Sequence, residues 1–544
     1  MIRTNVLLTF LCVIVPMLHV GTVLEAAEGQ PNILWITCED MSARLSFYGD
    51  DTVKTPRLDE LASQSVRYNH CYGTYGVCAP NRHTLIMGMY PSTTGAMAMR
   101  TWKRTSALHL IKDPELLAIP TYEATPPAGA KCFTEYLRAN GYYCSNNSKT
   151  DYQFRTPITA WDDSSKKAHW RNRPDDQTPF FSVFNFTITH ESKVHKQSSP
   201  TVVDPAGVEL PPYYPDTPII RRDLARHYDN IIALDAQVGE VLDQLEEDGL
   251  ADDTIVFFFS DHGDGLPRAK RWVYDSGIHV PLLVRYPDGK KAGTTNDDLV
   301  SFVDFAPTVL SLAGISLPAH MQGTAFLGPA AGKKREYIFA FRDRMDPATE
   351  RIRAVRDHRF KYVRNYRPDL PYIAFQPYRD LMELMQEIHR LNREGTLTED
   401  QWQFTAQYKP LEEFYDTEND PHEIHNLAGD PKWFSEMARL REAHERFFRM
   451  LGDLGELPET ELVKHLWPPD GEQPETAVPV IRQQGDEVQV SCDTEGASIA
   501  FRRPNDKNWQ LYVEPFTAPA GTIVKAQAIR LGWKPSPTVE HKMQ

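Results

Sequence analysis

The chain has 544 residues, 41% of them apolar, which is enough to fill a sizeable core and exceeds one small domain. Its 59 Lys and Arg against 74 Asp and Glu leave a net charge of −15, which excludes general adhesion to nucleic acid or anionic lipid. A polyanionic ligand would need a local basic pocket against that background.

Taken in order, Arg3, the apolar run Val6 to Val20 and the small residues Ala26 and Ala27 read as a signal peptide over residues 1–27. The clean apolar run ends at Pro16 and is short for a membrane span. The expected product is secreted or periplasmic, with no span in the mature protein. Cys38, Cys71, Cys78, Cys132, Cys144 and Cys492 remain, too few in so long a chain for a disulfide framework. Whether Cys132 pairs with Cys144 stays open at this level.

PNILWITCED is an apolar run that predicts a buried parallel strand ending on Glu39 and Asp40. Ligands of open α/β sheets bind at that strand edge, and two carboxylates there could hold a hard cation through oxygen. Thr55 and Pro56 open a helix with Leu58, Leu61 and Val66 toward the core. The central stretch follows, TYGVCAPNRHTLIMGMYPSTTG from Thr74 to Gly95. Pro80 suits the first turn of a helix and Gly88 its end. Cys78 then stands at a helix N-terminus, where free N–H groups favour an anion, and Arg82 adds a permanent charge one turn on.

This stretch resembles the signature of the type I sulfatases, whose core is C-x-P-x-R, here Cys78, Pro80 and Arg82; Asn81 stands where serine is usual. The resemblance implies an alkaline-phosphatase-like α/β fold with a mixed sheet flanked by helices. It also implies conversion of Cys78 to formylglycine by a formylglycine-generating enzyme, and one calcium ion. By the same resemblance Glu39 and Asp40, Asp261 and His262, and an oxygen of modified Cys78 would be the metal set. His262 could instead contact the sulfate or the aldehyde diol.

Further along, Lys131–Asn140 predicts a helix ended by Gly141, and GYYCSNNSKTDYQF carries Lys149 at the family's sulfate-binding position. The family's histidine two residues on is Asp151 here, a carboxylate to accept a proton or orient the diol. The strand PFFSVFNFTITHES ends on His190, the expected general acid. Arg222–Glu247 is an amphipathic core helix. TIVFFFSDHGDG places Asp261 and His262 after another buried strand, and RAKRWVYDSG brings Lys270 to the family's second sulfate-binding position. Arg342, Asp343, Arg344 and His358 are equally candidates for substrate contact or for surface charge.

The expected organisation is a catalytic α/β domain over 28–332 and a small antiparallel-sheet subdomain over 333–467. A Pro- and acid-rich linker spans 468–479, and a β-sandwich module like those of chitobiases spans 480–544. Within the family, the spacing around Pro211 to Thr254 and the stretch RAVRDHRFKYVRNY resemble the heparan N-sulfatase branch. The implied activity is hydrolysis of sulfate esters or N-sulfamates of a sulfated glycan. Two other readings stay open: a phosphoester or phosphonate hydrolase on the same scaffold, and a non-catalytic sulfated-glycan-binding protein.

Overall fold

The computed structural model describes residues 30–102, 109–195 and 199–544; the signal-peptide expectation for 1–27 lies outside them. A mixed sheet of nine strands organises the larger part. The strands are β1 (Asn32–Cys38), β2 (Val66–Tyr72), β3 (Tyr143–Asn147), β4 (Asp163–Ser164), β5 (Phe180–Phe186), β6 (Thr254–Ser260), β7 (His279–Arg285), β8 (Thr294–Asn296) and β9 (Val300–Ser301). Their order is β4-β3-β5-β1-β6-β7-β2-β8, with β9 beside β2. β3, β5, β1 and β6 run parallel to one another, and β7 is antiparallel to both β6 and β2.

The side-chain alternation of a strand explains why the middle of this sheet reads as continuous apolar runs. On β1, Ile33 and Trp35 join Phe181, Phe257 and Phe259 in one core. Leu34 and Ile36 join Phe180, Phe258 and the helix Pro218–Glu247 in the other. Both faces are covered, so neither tolerates charge. Polar residues are released only where the strands end, and the register brings those ends level. Cys38 of β1 pairs with Phe186 of β5 and Ser260 of β6. Glu39–Asp40, the turn leading to His190 and Asp261–His262 therefore leave the sheet at one edge.

A second sheet, β10 (Ile338–Arg342), β11 (Ile352–Arg356), β12 (Phe360–Asn365) and β13 (Glu412–Asp416), is fully antiparallel. The helix Phe434–Leu451 packs Met437, Leu440 and Ala443 against its Phe341, Tyr362 and Phe414. Beyond it a short helix, Glu459–Leu466, was not anticipated from the sequence. Residues 480–544 form one three-stranded and one four-stranded antiparallel sheet around Val488, Val490, Val524 and Ala526. The preceding Pro-rich stretch is fastened to this module: Thr476 N–H donates to Lys534 O and Lys534 N–H to Pro474 O. Cys132 and Cys144 are both free, as are the other described cysteines. No helix among the described residues is long and apolar enough to cross a membrane.

Candidate active site

The helix Cys78–Met87 points its N-terminus at the shared strand edge, with Cys78 its first residue. It is buried on every side, and Gly88 ends it with φ 62°, a left-handed conformation that favours glycine. Asn81 accounts for its own place in the signature. Its Oδ1 accepts the Thr74 and Tyr75 N–H groups at 2.9 and 3.2 Å, and its Nδ2 donates to Asp261 O. It thus ties the turn before Cys78 to the end of β6. Gly76 permits the approach from the other side, because a Cβ there would lie 2.3 Å from Trp272 O.

The ligand atoms of Asp40, Cys78, Asp261 and His262 lie within 4.8 Å of one another, all buried. Glu39, Asp40, Cys78 and His190 form a second, overlapping group of the same kind. His262 Nε2 lies 3.2 Å from Cys78 Sγ and 3.0 Å from Asp40 Oδ1. Burial works against charge on this ring, but the carboxylates of Asp261 and Asp40 outweigh it and lift the imidazole to about 10. Such a concentration of buried acidic groups could hold a metal ion. Glu39 reinforces the argument. Lys149 Nζ is 2.7 Å from its Oε2, yet both Glu39 oxygens are buried without an aligned hydrogen bond.

Cations surround these acids. Arg82 donates through Nε to Asp261 Oδ2 at 2.9 Å and through Nη1 to Asn185 Oδ1 at 2.7 Å. Lys270 Nζ donates to Asp40 Oδ2 at 2.6 Å. Burial opposes the ionised form of Asp40, but Lys270, His190 and His262 hold its carboxyl well below the usual range. Backbone geometry contributes as well, since Glu191 N–H donates to Asp40 Oδ2 at 2.7 Å. His190 Nδ1 accepts the Ser192 N–H, which leaves the ring proton on Nε2, 3.7 Å from Glu39 Oε2. Burial and then Lys270 lower its pKa.

The residues singled out from the sequence are therefore gathered at one place, with one of them facing aside. Asp151 Oδ1 is turned to Arg100 Nη1, 3.0 Å away, rather than paired within the Cys78 cluster. Arg100, Asn185 and Glu191 were missed. Glu191 receives a bidentate pair from Arg271 at 2.8 and 3.0 Å and a contact from Lys270 at 3.0 Å. Asn185 lies inside an apolar strand run, and Glu191 was visible only as the neighbour of His190. The four candidates beyond the catalytic sheet are engaged elsewhere. Arg342 lies over the Trp272 ring, Asp343 pairs with Arg353, Arg344 with Glu459, and His358 meets Asp297 O.

Comparison with known proteins agrees with this geometry. The family profile "Sulfatase" matches residues 31–315, and "N-sulphoglucosamine sulphohydrolase, C-terminal" matches 267–388. An "Ulvan-active sulfatase" of Formosa agariphila is 43% identical over 94% of this chain and 91% of its own length. The human "N-sulphoglucosamine sulphohydrolase" is 26% identical over 77% of this chain and 90% of its own. Among solved structures, a 2-O GAG sulfatase superposes with TM-score 0.56 at 20% identity, covering 78% of this chain and 93% of that one. A phosphonate monoester hydrolase from Silicibacter pomeroyi does so with TM-score 0.55 at 19% identity, covering 78% and 96%. At those identities the two structures speak for the fold alone. The sequence relationships, spanning nearly the whole chain and carrying the C-x-P-x-R segment at the site just described, make this chain a member of the sulfatase family of hydrolases.

Proposed function

We propose that the protein is an exported sulfatase that hydrolyses sulfate esters or N-sulfamates of a sulfated polysaccharide or its oligosaccharides. Cys78, converted to formylglycine by a formylglycine-generating enzyme, would be the nucleophile, with one calcium ion beside it. The observation that carries this reading is the convergence of Asp40, Cys78, Asp261 and His262 within 4.8 Å, ringed by Arg82, Lys149 and Lys270. Export rests on the signal-like segment 1–27.

The donor set fits a calcium ion. Glu39, Asp40 and Asp261 offer carboxylate oxygen, the ligand type a hard cation takes, and the two Glu39 oxygens lack aligned partners. Calcium would supply charge for the sulfuryl oxygens, and the hydrated aldehyde two hydroxyls, one to attack sulfur and one to release sulfate. A plain serine or cysteine has no second hydroxyl.

The chain's own residues do the rest. Lys149 and Lys270 meet the negative charge of a sulfate placed over Cys78, while Arg82 orients Asp261 and Asn185. In its imidazolium form, with Nδ1–H given to Ser192 Oγ at 2.8 Å, His190 donates a proton through Nε2 to the departing sugar oxygen as the O–S bond breaks, and the proton released by the attacking hydroxyl recharges the ring. Water is consumed, and its remaining proton leaves with the sulfate. The 43% relative makes ulvan oligosaccharides the first substrates to try, and the human relative makes N-sulfated glucosamine the second.

Mass spectrometry of the Cys78 peptide from protein made in its own host, with rates on aryl sulfate and aryl phosphate, tests the proposal. Loss of sulfur, gain of an aldehyde and preference for the sulfate are expected. An unmodified thiol in folded, native protein would sink the nucleophile, and preference for the phosphate would make the protein a phosphoester hydrolase.

A further inference from the structure

Arg100 differs from the other cations around Cys78. The side chains of Arg82, Lys270 and Arg271 are 5%, 1% and 7% exposed, each against a carboxylate. Lys149 is directed at Glu39. Arg100 is 36% exposed, and its one partner among the described residues is Asp151. A guanidinium carries five N–H donors in a fixed fork, so Asp151 alone does not use them all.

The backbone holds it there deliberately. Arg100, Asp151 and Gln153 have φ of 65°, 56° and 62°, a left-handed conformation that residues with side chains seldom adopt and that concentrates at functional sites. Gln153 ties the two loops together: its Oε1 accepts Thr101 N–H at 3.4 Å and its Nε2 donates to Ala98 O. From the other side Met99 N–H donates to Arg344 O at 2.8 Å, and Arg344 Nη1 donates to Met99 O at 3.2 Å. Asp151 lies two residues beyond Lys149, whose Nζ is 2.7 Å from Glu39 Oε2 in the Cys78 cluster. Arg100 therefore stands at the mouth of the same site, clamped rather than free.

We propose that Arg100, positioned by Asp151, is the specificity-determining contact for a second oxyanion of the substrate, a carboxylate or another sulfate carried beside the sulfate that is removed. The proposal rests on the sulfatase reading above. Forked donation suits a planar or tetrahedral oxyanion, and a chain of net charge −15 offers a polyanion no general attraction. An outward cation at the mouth selects the orientation in which the charged substrate enters. Asp151 fixes the plane of the fork by occupying one of its nitrogens.

The test compares kcat/KM for a sulfated disaccharide bearing a carboxylate on the neighbouring sugar, for its methyl ester, and for a disulfated analogue lacking the carboxylate; p-nitrophenyl sulfate serves as a reference. Wild-type enzyme should prefer one charged substrate over the ester by about tenfold or more, expressed mainly in KM, as one charge-assisted contact allows. Which charged substrate wins identifies the oxyanion. Arg100→Gln should bring that ratio to within about twofold and Arg100→Lys should fall between, because a point charge replaces the fork. Asp151→Asn should reduce the ratio through KM while its melting curve stays cooperative. Turnover by wild type with no charge preference, or equal losses on charged and ester substrates in Arg100→Gln, overturns this proposal alone. Failure of wild type on every sulfate, the aryl sulfate included, overturns the sulfatase reading and this proposal with it.

Discussion

Lys270 and Asp40 meet at 2.6 Å in a contact where neither side chain is more than 1% exposed. Lys270 also lies 3.0 Å from Glu191, which Arg271 grips in turn. One lysine thus links the end of β1 to the loop after β5, and in the proposed reaction its charge would also meet the sulfate.

Lys270→Met should therefore cost both activity and stability. Removing one partner of a buried ion pair leaves the other uncompensated, at about 3–5 kcal/mol. We expect kcat/KM on a sulfate ester to fall by roughly 10²-fold or more, as for loss of one charge-stabilising donor. Melting temperature and kinetics measured together check this; a variant that melts like wild type and turns over normally would place Lys270 outside the machinery.

His190→Ala should show its role through the leaving group. On a sugar sulfate, whose alkoxide must be protonated as it leaves, we expect a fall in kcat of about 10²–10⁴-fold. On p-nitrophenyl sulfate, whose phenolate leaves unaided, the fall should be at least tenfold smaller on the same scale. Equal losses on both substrates would show that the ring only shapes the site.

Chelation should act on stability as well as rate. Carboxylates of Glu39, Asp40 and Asp261 converge in a buried space, so a cation bound only by the folded state stabilises it by mass action. That amounts to about 4 kcal/mol at a thousandfold excess over Kd. Dialysis against a calcium chelator should lower the melting temperature and abolish turnover, and added calcium should restore both. Unchanged melting would remove the metal from the structural account.

His444 gives a pH dependence remote from the site. Its ring is 2% exposed, between Tyr362 and Phe448. Burial, followed by the charges of Arg353 and Arg364, lowers its pKa from 6.5 to about 3. The unfolded chain takes up a proton below pH 6.5 while the folded chain does not. Stability is therefore lost as pH falls from 6.5 toward 3, at about 1.4 kcal/mol per pH unit. His444→Phe should flatten the melting profile between pH 6.5 and 5 relative to wild type. A parallel profile would show that the histidine protonates in the folded protein.

The C-terminal module should matter to the catalytic part. Arg530 Nη2 donates to Pro126 O at 2.8 Å, and Trp467 Nε1 donates to Thr125 Oγ1 and Gly532 O, both at 3.0 Å. The braced segment continues inward, where Ala124 N–H donates to Gln153 O at 2.9 Å and Thr125 N–H to Thr94 O at 2.8 Å. Arg530→Ala removes a charge-assisted bond worth about 1.5–3 kcal/mol. It should raise KM through the Gln153 loop and lower the melting temperature. Unaltered kinetics would confine the module to stability.

The order of elements and the identity of the strand ends were legible in the residues themselves. Short, β-branched and aromatic apolar runs read as strands covered on both faces, which puts the polar pairs Glu39–Asp40 and Asp261–His262 where those runs stop. C-x-P-x-R likewise carries its own helix start, in Pro80, and its end, in Gly88. Which of these ends lie side by side was decided by strand register, a long-range property with no local signal. Tertiary structure alone turned Asp151 toward Arg100, because the pairing depends on two left-handed turns 51 residues apart. It also gave Asn185 and Glu191 their roles, which belong to Arg82 and Arg271 across the sheet edge. A side chain's type limits the bonds it can make; which partner it meets is set by the packing of chain segments distant in sequence.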